Sequence, residues 1–136
     1  MARVMTQSRA TTVNSIATAM FSVADQDAAI AFYTQKLGWE LSSDVAFGEG
    51  DQAGRWVEVS PPSSVARLAL NPPMGGEPGG GAIGVESTDV RAEREALVAA
   101  GVTVGEFMGG EGPVPLMFSV TDPDGNYLWV VAVSTS

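Results

Sequence analysis

Thr121-Asp122-Pro123-Asp124-Gly125-Asn126-Tyr127-Leu128-Trp129-Val130-Val131 changes character half-way along. Asp122 to Asn126 is turn chemistry. Pro123 presets φ, the Asp122 and Asp124 carboxylates can accept from nearby backbone N–H groups, and Gly125 or Asn126 can take a positive φ. Tyr127 to Val133 is aromatic and β-branched and reads as a strand that starts as soon as the turn ends.

Working outward, the second half of the chain holds one helix among strands. Ala82 to Ser87 reads as a short strand, Asp89 as an N-cap and Val90 to Ala100 as a helix with an apolar stripe of Val90, Leu97 and Val98. Arg94 can lay its stem along that stripe, and Gly101 closes the helix. Val102 to Phe107 and Val114 to Thr121 complete the strands. The first half repeats the order. A strand over Asn14 to Val23 leads to Asp25 as N-cap, a helix over Ala28 to Leu37 and Gly38 as its stop. Ala29, Phe32, Tyr33 and Leu37 make the apolar face. Strands follow over Trp39 to Phe47, Arg55 to Ser60 and Val65 to Asn71. The Pro72 to Gly81 stretch (PPMGGEPGGG) cannot be helix or central strand and divides the halves. The division is therefore a loose N-terminus over 1–13, a first βαβββ module over 14–71, a linker over 72–81 and a second βαβββ module over 82–133. The fold class is α+β, a curved mixed sheet with a concave cleft and the helices on its outer face.

Composition narrows the chemistry. The 136 residues are 45% apolar, enough for a core, with 16 glycines and 8 prolines for turns. There is no cysteine and no histidine, which removes thiolate chemistry and every imidazole ligand or base. Seven basic residues against sixteen acidic ones give a net charge of −9, which would repel a nucleic acid and attract a cationic small molecule. No apolar run approaches membrane-spanning length, and Met1 to Thr12 lacks the apolar stretch of a secretory signal, so a cytoplasmic location is expected.

Three stretches together carry a family resemblance. DPDGN leads into the last strand, VADQDAAIAFYTQKLGWEL spans Val23 to Leu41, and the second helix runs from Asp89 through Leu97 to Gly101. Around a Gly/Pro linker, this order resembles the vicinal-oxygen-chelate superfamily of glyoxalase I, extradiol dioxygenases and bleomycin-resistance proteins. The resemblance implies paired βαβββ modules and, in metal-using members, one ligand on each of four strands. The matching positions here are Thr18, Ala69, Ala82 and Trp129, the last standing where a glutamate is usual. One hydroxyl, two methyls and an indole N–H do not make a divalent-cation site. No metal and no other cofactor is therefore expected.

Strand alternation then sorts the cleft face. With the four ligand positions facing inward, so do Ile16, Met20, Ser22, Arg67, Asn71, Gly84, Glu86, Tyr127 and Val131. Val57 and Val59 suit the helix side, which puts Trp56, Glu58 and Ser60 in the cleft. The candidate ligand-binding set is Thr18, Met20, Trp56, Glu58, Arg67, Asn71, Glu86, Met108, Met117, Tyr127 and Trp129. Trp56 and Trp129 could equally be packing residues, Glu58 and Glu86 solvated strand residues, and Met108 and Met117 plain core. The expectation is a metal-independent protein that sequesters an aromatic or cationic organic compound such as an antibiotic. By resemblance it would pair as a homodimer. The alternatives are a metal-independent isomerase, lyase or cyclase with Glu58 or Glu86 as base, and, behind it, a metal-dependent glyoxalase- or dioxygenase-like enzyme.

Overall fold

The computed structural model describes residues 9–133, so most of the N-terminus expected to be loose (residues 1–8) lies outside the described residues. The elements run β1 (Thr18–Ser22), α1 (Gln26–Ala31), β2 (Glu40–Phe47), β3 (Gly54–Ser60), β4 (Arg67–Asn71), β5 (Ala82–Ser87), α2 (Val90–Ala99), β6 (Thr103–Val104), β7 (Met117–Thr121) and β8 (Tyr127–Ala132). They form two four-stranded mixed sheets of the same plan, β1-β4-β3-β2 and β5-β8-β7-β6. In each sheet the first strand lies parallel to the last, and the other pairs are antiparallel. The fold is α+β, with both helices on one side of the sheets.

Both helices start by the same local chemistry. The Asp25 carboxylate accepts from the Ala28 N–H at 3.0 Å, and Asp89 accepts from Ala92 at 3.0 Å. Each cap is worth about 1 kcal/mol. Gly38 and Gly101 end them with φ of 77° and 79°, a conformation that costs other residues a clash. Continuous α-helix to Leu37 is corrected: after Ala31 the chain widens into a π-helical turn over Phe32–Lys36. The Thr34 hydroxyl donates to the Ile30 carbonyl at 2.7 Å, and the Trp39 N–H donates to the Tyr33 carbonyl. This draws the end of the helix onto Trp39, whose ring lies 5.3 Å from that of Tyr33.

Several strand boundaries also differ from expectation, as does one helix-face residue. β1 begins at Thr18 because its partner strand begins at Arg67, which leaves residues 14–17 beyond the ladder. β6 is only Thr103–Val104, since the Gly105 carbonyl accepts from the Arg94 side chain instead. β7 begins at Met117 because Pro113 and Pro115 have no N–H to offer a sheet. Val98 is 52% exposed and leaves the α2 stripe to Val90 and Leu97. The Arg94 guanidinium lies over the Phe107 ring at 5.3 Å.

Alternate residues of the strands enter one shared core. Phe21, Val57, Val59, Leu68 and Leu70 of the first module pack with Phe118, Val120, Leu128 and Val130 of the second, beneath Ala29, Tyr33, Val90 and Leu97. The Asp122–Asn126 turn ties the modules together. The Tyr33 hydroxyl donates to Asp122 Oδ2 at 3.0 Å, and Asn126 Nδ2 donates to Asp122 Oδ2 and to the Ser22 carbonyl, each at 3.0 Å. Asp122 Oδ1 accepts the N–H groups of Asp124 and Asn126, while Asp124 Oδ1 accepts the N–H of Ala24. Burial, with the Asp122 charge beside it, pushes the Tyr33 hydroxyl well above its usual pKa.

Candidate functional site

With the core face assigned, the opposite face of each sheet is fixed. In the first module it carries Thr18, Met20, Trp56, Glu58, Arg67, Ala69 and Asn71. The register runs Thr18 beside Arg67, Met20 beside Ala69 and Ser22 beside Asn71, with Glu58 across from Ala69. In the second module it carries Ala82, Gly84, Glu86, Ser119, Tyr127 and Trp129, with Ala82 beside Tyr127 and Gly84 beside Trp129. Ala69 stands two residues past the partner of Thr18, and Trp129 two past the partner of Ala82, so the four positions are equivalent between modules.

The centre of the first open face is polar. Glu58 is 6% exposed, a rare degree of burial for a carboxylate without partners. It has two. Oε2 accepts from the Thr18 hydroxyl at 2.9 Å, and Oε1 faces Arg67 Nη1 at 3.4 Å. Thr18, Glu58 and Arg67 are thus brought together across three strands. Ala69 behind them is fully buried.

Towards the linker the same face becomes apolar. Met20, Trp56 and Asn71 line a depression of about 600 Å³, closed by Pro72, Pro73 and Met74 on one side and Gly79 to Gly81 on the other. Its volume lies within the range of small-molecule sites. Asn71 Oδ1 is buried without a hydrogen-bond partner among the described residues. Met74 and the two prolines were not among the sequence candidates, since the stretch reads as a connector. Their signal was the apolar Pro-Pro-Met at the start of an otherwise Gly-rich run.

At the other end, where the modules meet, Arg67 and Glu86 line a depression of about 470 Å³ with Trp39, Pro61, Pro62 and Gly84. A third, of about 390 Å³, enters the core between Trp39 and α2, over Leu97, Val120 and Leu128. Tyr127 and Trp129 line none of the three, and Met108 and Met117 bridge each other instead. The candidate set is therefore divided: Thr18, Glu58 and Arg67 meet, Met20, Trp56 and Asn71 share one depression, Arg67 and Glu86 share another, and Tyr127, Trp129, Met108 and Met117 line none of the three.

A metal is the group this fold most readily implies, and the residues do not fit one. The Thr18 hydroxyl is given to Glu58, Ala69 and Ala82 have no donor atoms, and Trp129 offers only an N–H. Among the described residues no three acidic side chains gather closely enough to bind a metal in their place.

A sequence profile of the glyoxalase/bleomycin resistance protein/dioxygenase superfamily matches residues 15–130, nearly the whole chain. The chain belongs to this superfamily. Among solved structures, a superfamily member from Sphaerobacter thermophilus DSM 20745 is 29% identical with a TM-score of 0.75, over 89% of this chain and 98% of that one. TnmS3, an antibiotic binding protein from Streptomyces sp. CB03234, is 26% identical with a TM-score of 0.74, over 92% and 100%. Lactoylglutathione lyase from Agrobacterium tumefaciens, at 20% identity and a TM-score of 0.66 over 90% and 96%, shares the fold. A comparison with curated proteins finds no match. Superfamily membership accounts for the repeated βαβββ plan, and it leaves open which of the family's chemistries this chain performs. Among the described residues no helix is long and apolar enough to cross a membrane.

Proposed function

We propose that this superfamily member is a metal-independent binding protein that sequesters an aromatic or cationic organic compound, such as an antibiotic, without altering it. The observation that carries this reading is the donor set. At the four equivalent strand positions stand Thr18, Ala69, Ala82 and Trp129, and the chain has no histidine or cysteine to replace them. The likeness to an antibiotic binding protein at 26% identity supports binding as the function. So does the character of the first open face, where the apolar side chains of Met20, Val45 and Phe47 are 65%, 54% and 53% exposed. Pairing as a cytoplasmic homodimer belongs to the proposal. Glu58, with both oxygens engaged, is poorly placed to serve as a free base.

The test is elemental analysis of untagged protein after incubation with Zn²⁺, Ni²⁺, Mn²⁺ and Fe²⁺, followed by tryptophan quenching with neutral and cationic aromatic antibiotics. Negligible metal and saturable quenching are expected, with the compound recovered intact. One tightly held metal per chain, or recovery of a converted compound, would overturn the proposal.

A further inference from the structure

We propose that the open face of the first module is a two-ended slot for a flat organic acid, with an oxygen-acceptor group at one end and a hydroxyl or N–H donor at the other. This rests on the small-molecule-binding reading and names the ligand class of that site.

The first end is Arg67. Glu58 is buried, with one oxygen accepting from Thr18 and the other facing the Arg67 guanidinium, so its charge is already paired and shielded from a cation in solution. What the centre of the face offers is the guanidinium. Its side chain is 52% exposed, and Nε and Nη2 have no partner among the described residues. A guanidinium held on one side by a carboxylate keeps its remaining N–H fork for another planar oxygen group. The net charge of −9 repels an anion at a distance, but that field is screened beyond about 8 Å at physiological salt, whereas a contact ion pair is not.

The second end is Asn71. It stands on the same face of β4, four residues beyond Arg67, on the order of 13 Å along the strand. Its Oδ1 is buried and unpaired, a costly arrangement that a donor on a ligand would relieve. Between the two ends the exposed surface is apolar. Met20, 65% exposed, stands beside the fully buried Ala69, and Trp56 flanks the depression that Asn71 lines, while Arg67 opens on the neighbouring one. An aromatic body fits such a surface, with its polar groups at the ends. The far wall is firm. A Cβ on Gly81 would meet the Phe21 ring at 2.7 Å, and the Gly81 N–H is held by Asn126 Oδ1.

Calorimetric titration of the full untagged chain tests this with 4′-hydroxybiphenyl-4-carboxylate, biphenyl-4-carboxylate, 4-phenylphenol and the cation N-methylacridinium. The hydroxy-acid should bind best. Removing its hydroxyl or its carboxylate should each weaken binding about tenfold. The hydroxyl effect should vanish in Asn71→Leu and the carboxylate effect in Arg67→Gln, with folding checked by thermal melts. The four probes on the unaltered protein decide the matter even if a variant fails to fold. If N-methylacridinium binds more tightly than the hydroxy-acid, the two-ended slot is wrong while the sequestering function stands. If no probe binds, including because a second copy covers the face in a sedimenting dimer, the slot is wrong and the function loses its site.

Discussion

Replacing Asp122 by alanine should cost about 3–5 kcal/mol, the range for breaking a buried charged network. The carboxylate is 4% exposed and accepts four hydrogen bonds: the Tyr33 hydroxyl, the Asp124 and Asn126 N–H groups, and Asn126 Nδ2. Asp124 can turn to water, but Tyr33 and Asn126 are fully buried. Each buried donor left unpaired costs about 1–3 kcal/mol, and the methyl that replaces the carboxylate leaves room for a water to recover part of it. Tyr33→Phe removes one of the four bonds and should cost about 1 kcal/mol. In the Asp122→Ala background it should cost almost nothing, since the partner is already gone. Urea denaturation followed by tryptophan emission measures both, because Trp39 packs on Tyr33 while Trp129 lies in the other module. A loss below about 1 kcal/mol for Asp122→Ala, or additive losses in the double variant, would refute the network as the tie between modules.

Other outcomes follow from the same structure. Tyr33 has a raised pKa in the folded state, so its contribution is fully present below the unfolded value near 10 and is lost as pH rises above it, at about 1.4 kcal/mol per pH unit. An alkaline denaturation series should show that slope, and Tyr33→Phe should flatten it. Gly79→Ala should destabilise by more than about 1 kcal/mol, because its φ is 96° and a Cβ there would strike the Asp124 carbonyl oxygen. Thermal melts would detect this, and Gly75, with nothing within 4 Å, is the control that should tolerate alanine. Arg55 bridges Asp27 and Asp44 at 2.8 Å on the exposed helix side, so Arg55→Met should lower the melting temperature only slightly, and less still in high salt.

What the sequence revealed was its local chemistry. Asp25 and Asp89 cap because a short carboxylate three residues before a free N–H does so in any context. β5 runs over Ala82–Ser87 as expected, since linker and cap bound it on both sides. Face alternation placed Thr18, Met20, Trp56, Glu58, Arg67 and Asn71 on one surface. The missed features depend on distant partners. The π-helical turn at Phe32–Lys36 leaves the apolar spacing unchanged and follows from tertiary packing of Tyr33. Glu58 could be read as a solvated residue or a base until Thr18, forty positions earlier, was seen to hold it. The apolar Pro72 to Met74 was the single local sign that the connector would wall a depression, and which strands it would meet depended on the fold.

The parallel pairing of first strand with last has a temporal consequence. β1 has no neighbour in its sheet but β4, so its edge waits until Asn71 has left the ribosome. The Ser22 carbonyl then waits for Asn126, 104 residues later, to complete its bond. Long-range closures of this kind are slow, and an incomplete module exposes an unpaired edge that can recruit a neighbouring chain. Synthesis is therefore the stage at which this protein is most open to misassembly, and the turn near its end is the latch that ends the exposure.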